Sequence, residues 1–159
     1  MTATGTSTEV ESPRRALVTV VAVVFVDLLG FGIIVPILPF YVRSFGVSDV
    51  YIGLLAASYS VMQFAFAPVL GRLSDARGRR PVLLLSIAGS AVAWTLFGLA
   101  SSVAVLFVAR MLAGAMGGNI AAAQAYVADV TPSEERAKGL GLVGAAFGLG
   151  FVFGPAVGG

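Results

Sequence analysis

Two charged residues lie inside long apolar runs of this 159-residue chain, Asp27 and Arg110. A charge placed at the centre of a bilayer costs about 3 kcal/mol or more unless it is paired or hydrated, so such residues are functional candidates by default. Asp27 sits near the middle of the first apolar run. Arg110 sits about two turns into the fourth. At 1.5 Å per residue, Asp27 lies roughly 16–18 Å from one surface and Arg110 about 10 Å from the other. In a hydrocarbon core of about 30 Å those depths nearly coincide. The two side chains can therefore pair or face one cavity, which is the chemistry of a proton- or cation-responsive site. The alternatives are an ion pair that only fixes two helices, or an Asp27 neutralised without a role.

Other polar residues share helical faces with these two. At 100° per residue, Arg110, Gly114, Gly117, Ala121 and Gln124 fall in one narrow sector, with Asn119 opposite. Tyr59 and Gln63 are four apart on the second helix and share a face. They line the same cavity or glue helices together. Gly30, Gly32, Pro36 and Pro39 soften the first helix. Gly150, Gly154 and Gly158 form small-xxx-small steps, suited to tight packing with some freedom to rock. The segment Gly71-Arg72-Leu73-Ser74-Asp75-Ala76-Arg77-Gly78-Arg79-Arg80-Pro81 clusters arginines around one acid and two spaced glycines. Anchoring explains the arginines but not Asp75, which suits a helix N-terminus, its own or a neighbour's.

These residues need elements to hold them. A polar tail, residues 1–14, is expected to be disordered. Five spanning helices are expected at about 15–41, 51–70, 81–100, 103–127 and 139–159, with a loop over 71–80. The run after Arg15 continues to Tyr41 without a cleavage site, so it reads as a spanning helix and not a secretory signal. The fifth helix is still apolar at Gly159, which leads us to expect a fragment of a longer bundle. The fold class is thus an all-α integral membrane protein.

Composition agrees. The chain is 58% hydrophobic and 11% charged, where a soluble domain carries about 25% charged residues. Arg14, Arg15, Arg72, Arg77, Arg79, Arg80, Arg136 and Lys138 fall at one set of helix ends, and Arg43 alone at the other. That bias puts the N-terminus in the cytoplasm of a multi-pass cell-membrane protein and argues against nucleic acid as a partner. The chain has no cysteine and no histidine. Thiol chemistry, the usual zinc sites and histidine triads are absent, so neither an enzyme nor a metal or cofactor site is expected.

In these motifs the chain resembles the major facilitator superfamily, in its twelve-helix drug:proton antiporter branch. The resemblance runs from Asp27 to Gly159. It is carried by Asp27, Gly30, Pro36 and Pro39 in the first helix, the segment Gly71–Arg80, Arg110 with Gly114, and Gly150-x-x-x-Gly154-Pro155-x-x-Gly158-Gly159. It implies the N-terminal lobe of a helix bundle whose C-terminal lobe is missing here. It implies proton-coupled efflux of small, amphipathic molecules by alternating access. Asp75 would meet a helix end of the second lobe, and Gly71, Gly78 and Arg80 belong to the same gate. Arg79 would pair with Asp129, Arg110 would tune protonation, and the fifth-helix glycines would control bending and leak. The family has Arg or Lys directly after the loop acid, where this chain has Ala76. Tetracycline exporters are similar over Arg79–Leu85 and Ala146–Gly150 but carry an acid in the third helix where Ala93 stands, so a broader drug substrate is as much implied as tetracycline. Uptake of a sugar or metabolite by the same fold is a second reading, against the fifth-helix pattern. A truncated, non-transporting membrane protein is a third.

Overall fold

The computed structural model describes residues 13–117 and 119–158, and among these it contains six α-helices. The first, α1 (Pro13–Ser44), opens on a proline, whose fixed φ and missing N–H suit a first turn. It also encloses Pro36 and Pro39. Each removes one backbone donor, a loss that neighbouring helices make tolerable in an apolar setting. Residues 1–12 of the expected tail lie outside the described residues, and Pro13 and Arg14 belong to α1. Beyond α1 the chain turns through Gly46 at φ +69° and enters α2 (Val50–Arg77).

The expected loop over 71–80 is mostly helix. Between α2 and α3 (Arg79–Gly98) only Gly78 leaves the helical path, at φ +93°. A side chain is strained in that region, so one glycine suffices to reverse the chain. The arginines that suggested an open loop instead ride on the last two turns of α2 and the first of α3.

The expected continuous helix over 103–127 is divided. α4 (Val103–Met116) begins at Ser102, whose Oγ accepts from the Val105 N–H at 3.4 Å. It stops at Gly117, and α5 (Asn119–Val130) follows. The Gly117 carbonyl accepts the Gln63 side-chain amide at 3.1 Å, so a side chain of α2 takes up a backbone group at the break. Glycine's low helix propensity makes the interruption inexpensive. The last helix, α6, spans Arg136–Gly158. Gly159 lies outside the described residues.

The most extensive packing joins α1 to α6. A Cβ at Gly150 would meet Leu28 at 2.8 Å, one at Gly154 would meet Gly32 at 2.5 Å, and one at Gly158 would meet Ile33 at 2.6 Å. Both numberings rise together, so the two helices run parallel. Two apolar clusters complete the core. One joins Val20, Val24 and Leu28 of α1 to Leu83, Ala123, Val127, Val143 and Ala146. The other joins Ile34, Leu38 and Val42 to Leu55, Phe97, Leu106 and Ala109. The stretch of α1 between them, around Phe31, is the layer where the polar groups gather.

Outside, large apolar side chains are bare, with Phe64 85% exposed. Water would penalise such a surface by roughly 25 cal/mol per Å². Among the described residues, α2, α3, α6 and the Val20–Ser44 part of α1 are long and apolar enough to cross a membrane. The α4–α5 pair occupies the place of the fourth expected helix, and α4 is a shorter apolar helix.

Candidate functional site

Arg110 is the centre of the middle layer. It is 4% exposed. Its guanidinium lies 4.7 Å from the centroid of the Tyr59 ring and 5.7 Å from that of Phe31. A cation over a desolvated aromatic face gains about 2 kcal/mol. Among the described residues, its Nε and Nη1 atoms have no hydrogen-bond partner. Tyr59 is brought close because Gly114, one turn after Arg110, packs directly on the Tyr59 backbone. Gly117 continues the contact; a Cβ there would meet the Tyr59 Oη at 2.9 Å and the Gln63 Nε2 at 3.2 Å. Small residues on α4 therefore let α2 approach, and that approach seats the ring over the cation.

Asp27 lies one turn before Phe31 on α1 and is half-buried. It lines a cleft of about 280 Å³ with Ile87, Ser90, Ala91 and Trp94 of α3. Tyr59 stands within the electrostatic reach of both Asp27 and Arg110. The structure thus brings Asp27, Tyr59, Gln63 and Arg110 into one layer across α1, α2 and α4. It does not bring Gln124 there. The break at Gly117 ends the sector that was expected to continue, and Gln124 is exposed on α5.

At the basic end, Arg79 is a hub. It pairs with Asp75 at 2.6 Å and with Asp129 at 3.1 Å, and its Nη1 reaches the buried Ser74 Oγ at 3.4 Å. One side chain thereby ties the end of α2 to the end of α5 across the Gly78 turn. Both carboxylates are largely exposed, and exposed pairs are worth about 0–1 kcal/mol. Gly71 faces open space, and Ala76, Arg77 and Arg80 are exposed.

The opposite end has its own clasp. Arg43 and Asp49 form two hydrogen bonds, of 2.9 and 3.0 Å, across the Gly46 turn. The hydrogen bond from Arg43 holds the Asp49 carboxyl below its ordinary range. The Tyr41 hydroxyl donates to the Ala100 carbonyl at 2.7 Å, fastening α1 to the turn before α4. On α6, the face of Gly150, Gly154 and Gly158 lies on α1, and Pro155 sits beside Gly32.

The family model for the Major Facilitator Superfamily matches residues 20–159. The chain belongs to the Major Facilitator Superfamily. It is 45% identical over 150 residues to the tetracycline resistance protein, class E, of Escherichia coli, covering 92% of this chain and 37% of that protein. It is 45% identical to the class D protein of Salmonella ordonez, with 38% of that protein covered. Multidrug resistance protein 2 of Bacillus subtilis (strain 168) is 32% identical, with 94% of this chain and 38% of that protein covered. The chain thus spans a little over a third of the length of these curated relatives. It is part of a multi-pass membrane transporter family that is not enzymatic.

Within this Major Facilitator bundle, Phe31 and Trp94 are site residues that reading the sequence missed. Phe31 stands four residues after Asp27, a spacing that places both on one helical face. In an apolar run, however, an aromatic residue is indistinguishable from core. Trp94 lines the Asp27 cleft with a buried Nε1 that lacks a partner, and its ring packs where a Cβ on Gly30 would be, at 3.2 Å. Ala93, next to it, is fully buried.

Proposed function

We propose that this chain is the N-terminal lobe of a proton-coupled exporter in the cell membrane, moving drugs or other small amphipathic molecules by alternating access. The observation that carries this reading is Arg110. It is a cation buried among aromatic rings, with two N–H donors unpartnered, beside a Tyr59 that also feels Asp27. A pair kept only for structure would satisfy its donors, because unmet polar groups in a dry interior are costly. A site that changes state keeps some in reserve.

In this reading Asp27 takes up and releases the proton. Neutralising it removes its attraction for the Tyr59–Arg110 layer and for a cationic substrate, and so favours one conformation over another. Arg79 is the gate at the cytoplasmic end. Its two exposed ion pairs are weak enough to exchange, and Asp75 is the carboxylate available to a second lobe. Gly71, Gly78, Arg80 and Asp129 shape and brace that gate. Gly150, Gly154, Pro155, Gly158 and Gly159 control how α6 bends against α1. The lipid bilayer covers the apolar exterior, and the basic end with the N-terminus faces the cytoplasm.

The test is Asp27→Asn in the protein at its full natural length, assayed in inside-out vesicles carrying an imposed pH gradient. We expect gradient-driven drug accumulation to fall at least tenfold while the protein still inserts. Accumulation equal to that of the unaltered protein would remove Asp27 from the coupling.

A further inference from the structure

A groove of about 450 Å³ runs between α1 and α6 in the basic half of the bundle. Val18, Val21 and Phe25 form one wall, and Leu142, Ala145 and Leu149 the other. The walls are apolar and open outward, with Val18 68% and Leu149 49% exposed. The mouth is charged. Lys138 stands one turn before Leu142 on the same face of α6 and is exposed. Arg14 stands one turn before Val18 on the same face of α1. Leu28 lies against Gly150 and Gly32 against Gly154, and that register, carried back along both helices, brings their first turns level. Each apolar wall therefore ends in a basic residue, within one turn of the same height.

The protein does not use up the charge at this mouth. Glu134 accepts from the Ser133 hydroxyl at 2.9 Å and is drawn to Arg136. Among the described residues, Lys138 has no ion-pair partner. The N-terminus of α6, whose first N–H groups carry partial positive charge, opens at the same place. The depth of the groove also fits a lipid chain. Lys138 and Leu149 are separated by unbroken helix that rises about 16 Å, half of a hydrocarbon core of about 30 Å. The cations thus lie at headgroup level and the floor near the bilayer centre. The larger groove of about 660 Å³ beside Ile37, Tyr41 and Phe97 lacks this pairing, because it lies toward the end where Arg43 is already held by Asp49.

We infer that the α1–α6 groove is a binding site for one anionic glycerophospholipid of the leaflet at the basic end of the bundle. The phosphate sits at Lys138, and one acyl chain lies between the two apolar walls. Basic pockets between membrane helices hold anionic headgroups in this way. An apolar groove alone accepts any chain; the cation at its mouth selects the negative headgroup. The site uses neither Asp27 nor Arg110 and stands apart from the exporter reading.

The test uses the full-length protein purified in detergent. It is given equal amounts of dioleoylphosphatidylglycerol and dioleoylphosphatidylcholine, which differ in headgroup charge but not in their chains. Native mass spectrometry counts the lipids retained per protein. The unaltered protein is expected to keep phosphatidylglycerol at least fivefold over phosphatidylcholine. Lys138→Gln is expected to lose one bound phosphatidylglycerol, and so is Ala145→Trp, which fills the groove. The double variant loses no more than either alone, and Lys138→Arg keeps the lipid. Val18→Trp, on the opposite wall, replaces Ala145→Trp if that variant does not insert. Equal retention of the two lipids by the unaltered protein overturns the site, as does an unchanged count in Lys138→Gln. Loss in Lys138→Gln with full retention in the groove-filling variant assigns the lipid to surface charge alone and overturns it as well. So do losses that add in the double variant.

Discussion

Arg110 combines features that rarely persist together without a use. It is buried, it is charged, and two of its donors are unpartnered. Replacing buried ionic groups by well-packed apolar residues of similar volume is often neutral or stabilising by about 1–4 kcal/mol. Arg110→Met is therefore expected to leave thermal stability in detergent unchanged or raised, while drug efflux falls at least tenfold. Measuring the melting temperature and the transport rate on the same preparation checks both halves. A melting temperature several degrees lower with transport intact would make Arg110 a structural strut. The sequence already singled out Arg110 and Asp27, because charge in an apolar run is conspicuous from composition alone. It did not reveal Phe31, since an aromatic residue in such a run carries no mark of its face. Only the packing of α1 against α2 and α4 distinguishes it from core.

Among the helices, the glycine contact between α1 and α6 is the tightest. A side chain at Gly154 would collide with Gly32, backbone against backbone, so neither partner can swing aside. Overpacking of that kind costs about 1–3 kcal/mol. Gly148, on the same helix, faces open space, and Gly→Ala there gains roughly 0.5–1 kcal/mol of helix propensity. Gly154→Val is thus expected to lower the melting temperature and Gly148→Ala to hold or raise it. If both variants melt alike, close α1–α6 packing is not what the glycines provide. The small-xxx-small spacing predicted a tight face; that its partner is α1 needed the structure. The two departures in the helix plan also have local causes. Gly78 alone turns the chain, so the expected loop shrinks to one residue, and Gln63 takes up the Gly117 carbonyl, so one expected helix becomes two. Neither a lone turn glycine nor a side-chain donor leaves a periodic signature in sequence.

The bundle has a basic end and one whose charges, Arg43 and Asp49, pair with each other, and labelling reads its orientation directly. The chain lacks cysteine, so single cysteines report position cleanly once any others in the full-length protein are replaced. In intact cells a membrane-impermeant maleimide is expected to label Ser48→Cys, beside the Arg43–Asp49 clasp. Ala76→Cys, at the Arg79 hub, should react only after the membrane is permeabilised. Labelling of Ala76→Cys in intact cells would invert the topology and place Arg79 on the outside.

The division of the fourth span also bears on how the protein is made. α4 has 14 residues and rises about 21 Å, short of the roughly 30 Å of hydrocarbon. It also carries Arg110, which an insertion machinery penalises by about 3 kcal/mol at the centre of a helix. Such a segment is a poor candidate for release into lipid on its own merits. The groups that receive it, however, are all synthesised before it. Phe31 and Tyr59 flank the guanidinium and Gln63 waits for the Gly117 carbonyl, on helices that leave the ribosome earlier. The order of the chain therefore supplies these contacts before the segment that makes them.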